Sequence, residues 1–218
     1  MRTFVIGDIH GQRQALVECL RMCQFDYEHD RLISLGDVCD RGPDAKGAID
    51  ELLKIRHLVY LLGNHDAWTL DWARDGNASW EWLDQGGKAT IESYENAPMP
   101  FDHIFFFGKA LFYFEEDRRL FVHAGFDTKL GIAQTPQEMF IWDRCLAMEA
   151  IRLHEISPEF RFGGYDEIFI GHTPTTIFHE SHPRQYCNVW MMDTGAGYGR
   201  MLTVMNVDTK EFWQSVCR

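Results

Sequence analysis

No stretch of this 218-residue chain approaches the roughly 18 consecutive apolar residues that a membrane-crossing helix requires, so no membrane span is expected. Cysteine is sparse and unpatterned. Cys19, Cys23, Cys39, Cys145, Cys187 and Cys217 form no C-x-x-C pair and no dense framework, and they read as free, mostly buried thiols. Positive charge is also in short supply: 21 Lys and Arg stand against 33 Asp and Glu, a formal net charge of -12. A chain of that sign repels phosphate backbones, which argues against stable nucleic-acid binding through broad basic patches. It leaves room for a phosphorylated substrate wherever a few local cations or metal ions reverse the field. The opening run from Met1 to Gly7 is too short for a signal peptide, and the expected location is the cytoplasm. Internal repeats and low-complexity linkers are missing, and the length suits a single domain over residues 1–218.

What is present is an alternation of strand and helix. Residues 3–7 are rich in β-formers and stop at Gly7-Asp8, and Ala15, Leu16, Cys19, Leu20 and Cys23 then recur at helical spacing. A second strand over residues 32–35 precedes a helix with Pro43 in its first turn and an apolar stripe of Ile49, Leu52 and Leu53 ending at Arg56. A third strand covers residues 57–62. This order predicts an α/β core whose first strands are parallel. Residues 67–110 read as a helical excursion over one face of the sheet, with Trp68, Trp72, Trp80 and Trp82 as core. Further strands are expected at 111–114, 120–123, 168–171, 189–192, 202–207 and 211–216.

The chemistry lies in how these strands end. Polar clusters follow them: Gly7-Asp8-Ile9-His10-Gly11, Gly36-Asp37-Val38-Cys39-Asp40-Arg41-Gly42, Gly63-Asn64-His65-Asp66, His123-Ala124-Gly125 and Gly171-His172-Thr173. In an open α/β sheet the carboxyl ends of the strands share one edge, and that edge binds ligands. Singly, each cluster reads as a turn, a loop ion pair or a satisfied histidine. Jointly, Asp8, His10, Asp37, Asn64, His123 and His172 offer carboxylate, imidazole and amide donors, a mixture suited to Mn, Fe or Zn and not to an oxygen-only calcium site. Asp37 lies centrally and is placed to bridge two ions, which would sit about 3.5–4 Å apart. Cys39 is read as packing.

GDIHG, GDVCDRG, GNHD, HAG and GHT resemble the ordered motif set of the phosphoprotein phosphatases within the calcineurin-like metallophosphoesterases. The likeness runs from Ile6 to the neighbourhood of Arg200. Trp82 followed by Gly86-Gly87 and Ser93-Tyr94, then Ile141-Trp142-Asp143-Arg144 and Asp193-Thr194-Gly195, are similar to bacterial and phage-type serine/threonine protein phosphatases. The resemblance implies a β-sandwich of mixed sheets flanked by helices, with the metal site at the carboxyl ends of the strands. It implies two divalent ions, one on Asp8, His10 and Asp37 and the other on Asp37, Asn64, His123 and His172. Arg41, Arg144 and Asn64 would hold the phosphoryl group. His65 would protonate the leaving oxygen with Asp40 orienting its ring, and a metal-bridging hydroxide would attack directly. The implied substrate is a serine/threonine phosphoprotein, with phosphotyrosine within reach of the same chemistry. The alternative is a nucleotide polyphosphate, cleaved as by a symmetrical bis(5'-nucleosyl)-tetraphosphatase. Asp66 stands where the family's third motif usually has Glu, which shortens whatever support that carboxylate gives the neighbouring histidine or arginine.

Overall fold

The computed structural model describes residues Met1–Arg218. The chain opens with β1 (Thr3–Ile6), α1 (Arg13–Met22), β2 (Arg31–Ser34), α2 (Ala45–Leu52) and β3 (His57–Tyr60). These three strands pair in parallel, with Val5 opposite Ile33 and Ile33 opposite Val59. Parallel neighbours need a crossover, and α1 supplies one by burying Ala15, Leu16, Cys19 and Leu20 on a single face. Asp44 caps α2 by accepting from Gly47 N at 2.8 Å. Pro43 therefore lies outside that helix and not in its first turn. The helix also stops at Leu52, short of the expected stripe, because Arg56 N turns away to donate to Tyr27 O at the entry to β3.

From β3 the chain is helical through α3 (Asn64–Asp75), α4 (Trp80–Trp82), α5 (Lys88–Ser93) and α6 (Phe101–Gly108), with a π turn at Leu83–Gly87 between α4 and α5. Then come β4 (Tyr113–Glu116), β5 (Arg119–Val122), α7 (Gln137–Trp142), α8 (Cys145–His154), β6 (Glu167–Ile170), β7 (Arg184–Tyr186) and β8 (Val189–Met191). The last strands, β9 (Met201–Asn206) and β10 (Phe212–Val216), return to the first sheet. The strand orders are β10-β9-β1-β2-β3 and β4-β5-β6-β8-β7. Both sheets are mixed: the first is parallel across β1-β2-β3 and antiparallel across β10-β9-β1, and the second is parallel across β5-β6-β8 with an antiparallel strand at each edge.

Strand alternation divides the core into three layers. Phe4, Ile6 and Leu32 face α1 and α2. Val5 and Ile33 face the other way and meet Phe121 and Phe169 of the second sheet, so this layer is the filling of a sandwich. Phe121 and Phe169 stack at 4.9 Å between centroids and 9° between planes. Leu120, Val122, Ile168 and Ile170 pack outward against Phe140, Leu146 and Ala150 of α7 and α8. Each such side chain contributes about 2 kcal/mol of burial. The strand ends thus belong to two facing sheets, not to one open sheet edge. Expected strand 111–114 begins two residues later, because Leu111 instead bridges to Leu61. The polar edge strand β7 (Arg-Gln-Tyr) carries no apolar alternation and was not anticipated.

Candidate metal centre

The clusters after β1, β2, β3 and β6 open into one cavity of about 350 Å3 lined by Asp8, His10, Asp37, Asn64, His65 and His172 among others. His123, which follows β5, is fully buried and joins the set through Asn64 and Asp37. A larger cleft of about 550 Å3 beside α1 contains none of the candidate residues. Five site residues adopt left-handed backbone: His10 (φ 48), Asp37 (φ 52), Asp40 (φ 71), Arg41 (φ 67) and His172 (φ 59). That region is unfavourable for residues with a Cβ, and such strain gathers where side chains must point at a common centre. The loops also interlock closely. At Gly63 a Cβ would run into the Asp37 carboxylate, so only glycine fits.

Hydrogen bonds fix which atoms face inward. His10 Nδ1 donates to Cys39 O at 2.8 Å and His123 Nδ1 to Leu35 O at 2.7 Å, leaving each Nε2 as a lone pair. Cys39 packs in the core as expected, but its carbonyl also orients His10. Asp37 Oδ1 accepts from His65 N at 3.0 Å, while Oδ2 lies 3.8 Å from His10 Nε2 and 3.5 Å from His123 Nε2. His123 Nε2 and Asn64 Oδ1, both acceptors in this arrangement, face each other at 3.2 Å. His172 Nε2 is buried without any partner. Asp8 accepts from His172 N at 3.1 Å on both oxygens.

The electrostatics point the same way. Burial pushes Asp8 and Asp37 well above the carboxylate range, reinforced by Asp193 next to Asp8 and Asp66 next to Asp37. Burial likewise lowers His10 well below its ordinary value and His123 to about 3, so these imidazoles are neutral. Crowded buried carboxylates and neutral imidazoles with inward lone pairs are a donor set for cations. Two trios have donor atoms within 4.8 Å of one another, His10–Asp37–His65 and Asp37–His123–His172, with Asp37 common to both. Residues and metal chemistry fit.

His65 is also held by another network. Its Nδ1 donates to Asp40 Oδ2 at 2.7 Å, and its Nε2 accepts from Arg41 Nη2 at 3.1 Å. Asp40, fully buried, further accepts from Trp82 Nε1 at 2.8 Å and Thr90 Oγ1 at 2.6 Å. Burial pushes Asp40 up to about 7 against those hydrogen bonds. Burial and then Arg41 lower His65 to about 3. Arg144 lines the cavity, with Nη1 donating to His172 O at 3.1 Å and Thr173 Oγ1 at 3.3 Å. Asp66 accepts from Asp37 N (2.7 Å), Val38 N (3.0 Å), Gly63 N (3.0 Å) and Tyr60 Oη (2.6 Å). It therefore braces the backbone at Asp37 and not a histidine or arginine side chain.

Several cavity residues receive no site role from the sequence. Asp193 enters there only within the Asp193-Thr194-Gly195 motif, although it follows β8 just as the other clusters follow their strands. The tryptophans divide. Trp82 is core and Trp72 packs against it, whereas Trp68 and the 70% exposed Trp80 line the cavity. Tyr198, whose ring lies 4.7 Å from the Arg41 guanidinium, had no sequence signal at all.

Two mixed sheets with a carboxylate–imidazole donor set at their strand ends, and two arginines beside it, Arg41 after β2 and Arg144 between α7 and α8, describe a metallohydrolase for phosphoryl groups. Residues 1–197 match the pattern of the calcineurin-like phosphoesterases, and the chain belongs to that family. It is a metal-dependent phosphoester hydrolase. The chain is 31% identical over 212 residues to serine/threonine-protein phosphatase 1 of Salmonella typhimurium (strain LT2), covering 94% of this chain and 91% of that protein. A symmetrical bis(5'-nucleosyl)-tetraphosphatase of Coxiella burnetii is 38% identical over 68 residues, 31% of this chain and 23% of its own length. Among solved structures, a candidate diadenosine tetraphosphatase superposes with a TM-score of 0.74 at 18% identity, covering 100% of this chain and 94% of that one. A serine/threonine phosphatase from Saccharomyces cerevisiae gives 0.61 at 12% identity, covering 100% and 80%. At those identities the structural likeness speaks for the fold. No helix is long and apolar enough to cross a membrane.

Proposed function

We propose that the protein removes phosphate from phosphoserine or phosphothreonine in protein substrates, using two divalent cations that share Asp37. Asp8, His10 and Asp37 hold one cation, and Asp37, Asn64, His123 and His172 the other; Mn suits this mixed donor set. The observation that carries this reading is the seat of Asp37 Oδ2 between His10 Nε2 and His123 Nε2. Arg41 reaches both rings, His65 Nε2 at 3.1 Å and His10 Nε2 at 3.4 Å, but only His65 donates its Nδ1 to a carboxylate, that of Asp40, which stabilises an imidazolium, whereas His10 donates to a backbone carbonyl. His65 is therefore assigned the proton-transfer role.

When bound, the two cations supply an activated water and neutralise charge on the phosphoryl group. The chain's own residues do the rest. Arg41 and Arg144 present planar donor forks to the phosphoryl oxygens, with Asn64 beside them. As Arg41 turns onto the phosphate it releases His65 Nε2, and the negative charge of the bound phosphate then offsets the burial that keeps the ring neutral and favours a proton on Nε2. Asp40 stabilises the resulting imidazolium through Nδ1–H, and Nε2–H passes its proton to the leaving oxygen. The sheets and the helices of residues 64–108 act together as one catalytic unit.

Protein substrates are favoured by the likeness to the Salmonella phosphatase along nearly the whole chain, against a third of it for the tetraphosphatase. The test uses protein stripped with EDTA and reloaded with Mn. Turnover of p-nitrophenyl phosphate should return with the metal, and kcat/KM for a phosphothreonine peptide should exceed that for diadenosine tetraphosphate. The reverse order would replace this reading with nucleotide polyphosphate hydrolysis.

A further inference from the structure

One wall of the cavity is built on the phosphate-binding side of the centre. Arg41 N donates to Gly86 O at 3.2 Å, and Arg41 Nε to Gln85 O at 3.4 Å. Trp82 Nε1 is tied to Asp40 at 2.8 Å, and Ser79 caps the short helix by accepting from Trp82 N at 3.2 Å. The segment's outward side chains are therefore held in fixed register with the guanidinium that receives the phosphate. Those side chains are Trp80, Glu81 and Asp84, all on the cavity lining. Trp80 is 70% exposed, unusual for a tryptophan with no packing role. Glu81 and Asp84 are exposed, and neither makes an ion pair with any lysine, arginine or histidine of the chain. The same cavity carries Arg41 and Arg144, the two guanidinium groups that would take the phosphate.

We infer that the Trp80–Gln85 wall is a subsite for a cationic side chain adjacent to the phosphorylated residue of a peptide substrate. This rests on reading the site as a protein phosphatase. A guanidinium or ammonium group can lie over the Trp80 ring while hydrogen bonding to the Glu81 and Asp84 carboxylates. The phosphate beside it is taken by Arg41 and Arg144. The cavity thus matches a ligand with one anionic and one cationic end. A polyphosphate chain would bring further anions against two unpaired carboxylates, a like-charge clash that selects against it.

The test compares phosphothreonine peptides identical except for Arg, Ala or Glu at both flanking positions, hydrolysed by the Mn-loaded protein at low salt. The wild-type ratio of kcat/KM for the Arg over the Glu peptide should be about tenfold, the sum expected of two exposed ion pairs and a cation–π contact. In Glu81→Gln/Asp84→Asn that ratio should fall to about twofold, and Trp80→Ala should lower it less. Each ratio is normalised within its own variant, so a general loss of activity does not mimic the effect. Titrating tryptophan fluorescence with the same peptides carrying a non-hydrolysable phosphonate gives the comparison without turnover. A wild-type ratio near one, or a ratio unchanged in the double variant, overturns the subsite alone. Turnover of p-nitrophenyl phosphate but of no peptide overturns the underlying protein-phosphatase reading as well. Diadenosine tetraphosphate hydrolysed faster than the Arg peptide, with loss of that activity in Trp80→Ala, makes Trp80 a base-stacking platform and overturns the inference.

Discussion

His65 sits where two demands meet, since Asp40 fixes its tautomer from one side and Arg41 lends a proton donor from the other. On the proposed role of His65 as proton donor, removing the imidazole leaves the leaving oxygen to depart without its proton. His65→Asn should therefore depress kcat for phenyl phosphate by about 100-fold or more, and much less for p-nitrophenyl phosphate, whose leaving group needs little help. Equal losses on the two esters in steady-state assays would remove His65 from proton transfer. At this scale the sequence was informative about donor identity, because glycines beside Asp8, Asp37, Asn64 and His172 mark backbone that bends at a strand end. Tautomers were not legible. They depend on carbonyls such as Leu35 O, 88 positions from His123. The brace at Asp66 was equally hidden, since its partners are backbone groups brought near only by folding.

One element that supports the site is the α4–α5 segment with its π turn, which holds Asp40 through Trp82 and Thr90 and Arg41 through Gln85 O and Gly86 O. Gly86 has φ 111, and a Cβ there would strike the Arg41 side chain and backbone. Gly86→Ala should destabilise the fold by about 1–3 kcal/mol and raise KM for p-nitrophenyl phosphate by displacing Arg41. Unchanged urea midpoint and KM would contradict the close approach. A second element-scale device anchors α2: Glu51 accepts from Tyr27 Oη and Lys54 Nζ, each at 2.6 Å. Burial pushes Glu51 upward, but those two hydrogen bonds outweigh it and its pKa lies below the ordinary 4.5. A lowered folded pKa gives stability that is present above 4.5 and lost as pH falls through the folded value. Glu51→Gln should thus cost about 1 kcal/mol at pH 7 and almost nothing at pH 3, read from urea midpoints. A pH-independent difference would mean that the charge contributes nothing. Sequence periodicity located α1 well, because a clean apolar stripe defines it. The tryptophans of the helical excursion could not be sorted from sequence, since Trp80 and Trp82 differ by two positions yet face solvent and core respectively.

Across the whole molecule, two sheets close over Val5, Ile33, Phe121 and Phe169 and bring their polar ends to a common centre. The short strands were legible as α/β alternation. Their division into two sheets was not legible from periodicity, because a four-residue strand does not reveal its partner; the family likeness supplied it. A fold whose buried carboxylates Asp8 and Asp37 crowd together gains stability from bound cations. Saturating Mn should raise Tm by roughly 5–10 °C over the EDTA-treated protein, the shift expected for about 2.7 kcal/mol in a domain of this size. Identical melting curves would argue against a cation centre. The central claim is that Asp37 is shared by two metals, and anomalous diffraction from crystals grown with Mn tests it most directly. Two peaks are expected about 3.5–4 Å apart, one on either side of the Asp37 carboxylate. A single peak, or one ligated by His65 in place of Asp8, would contradict the account.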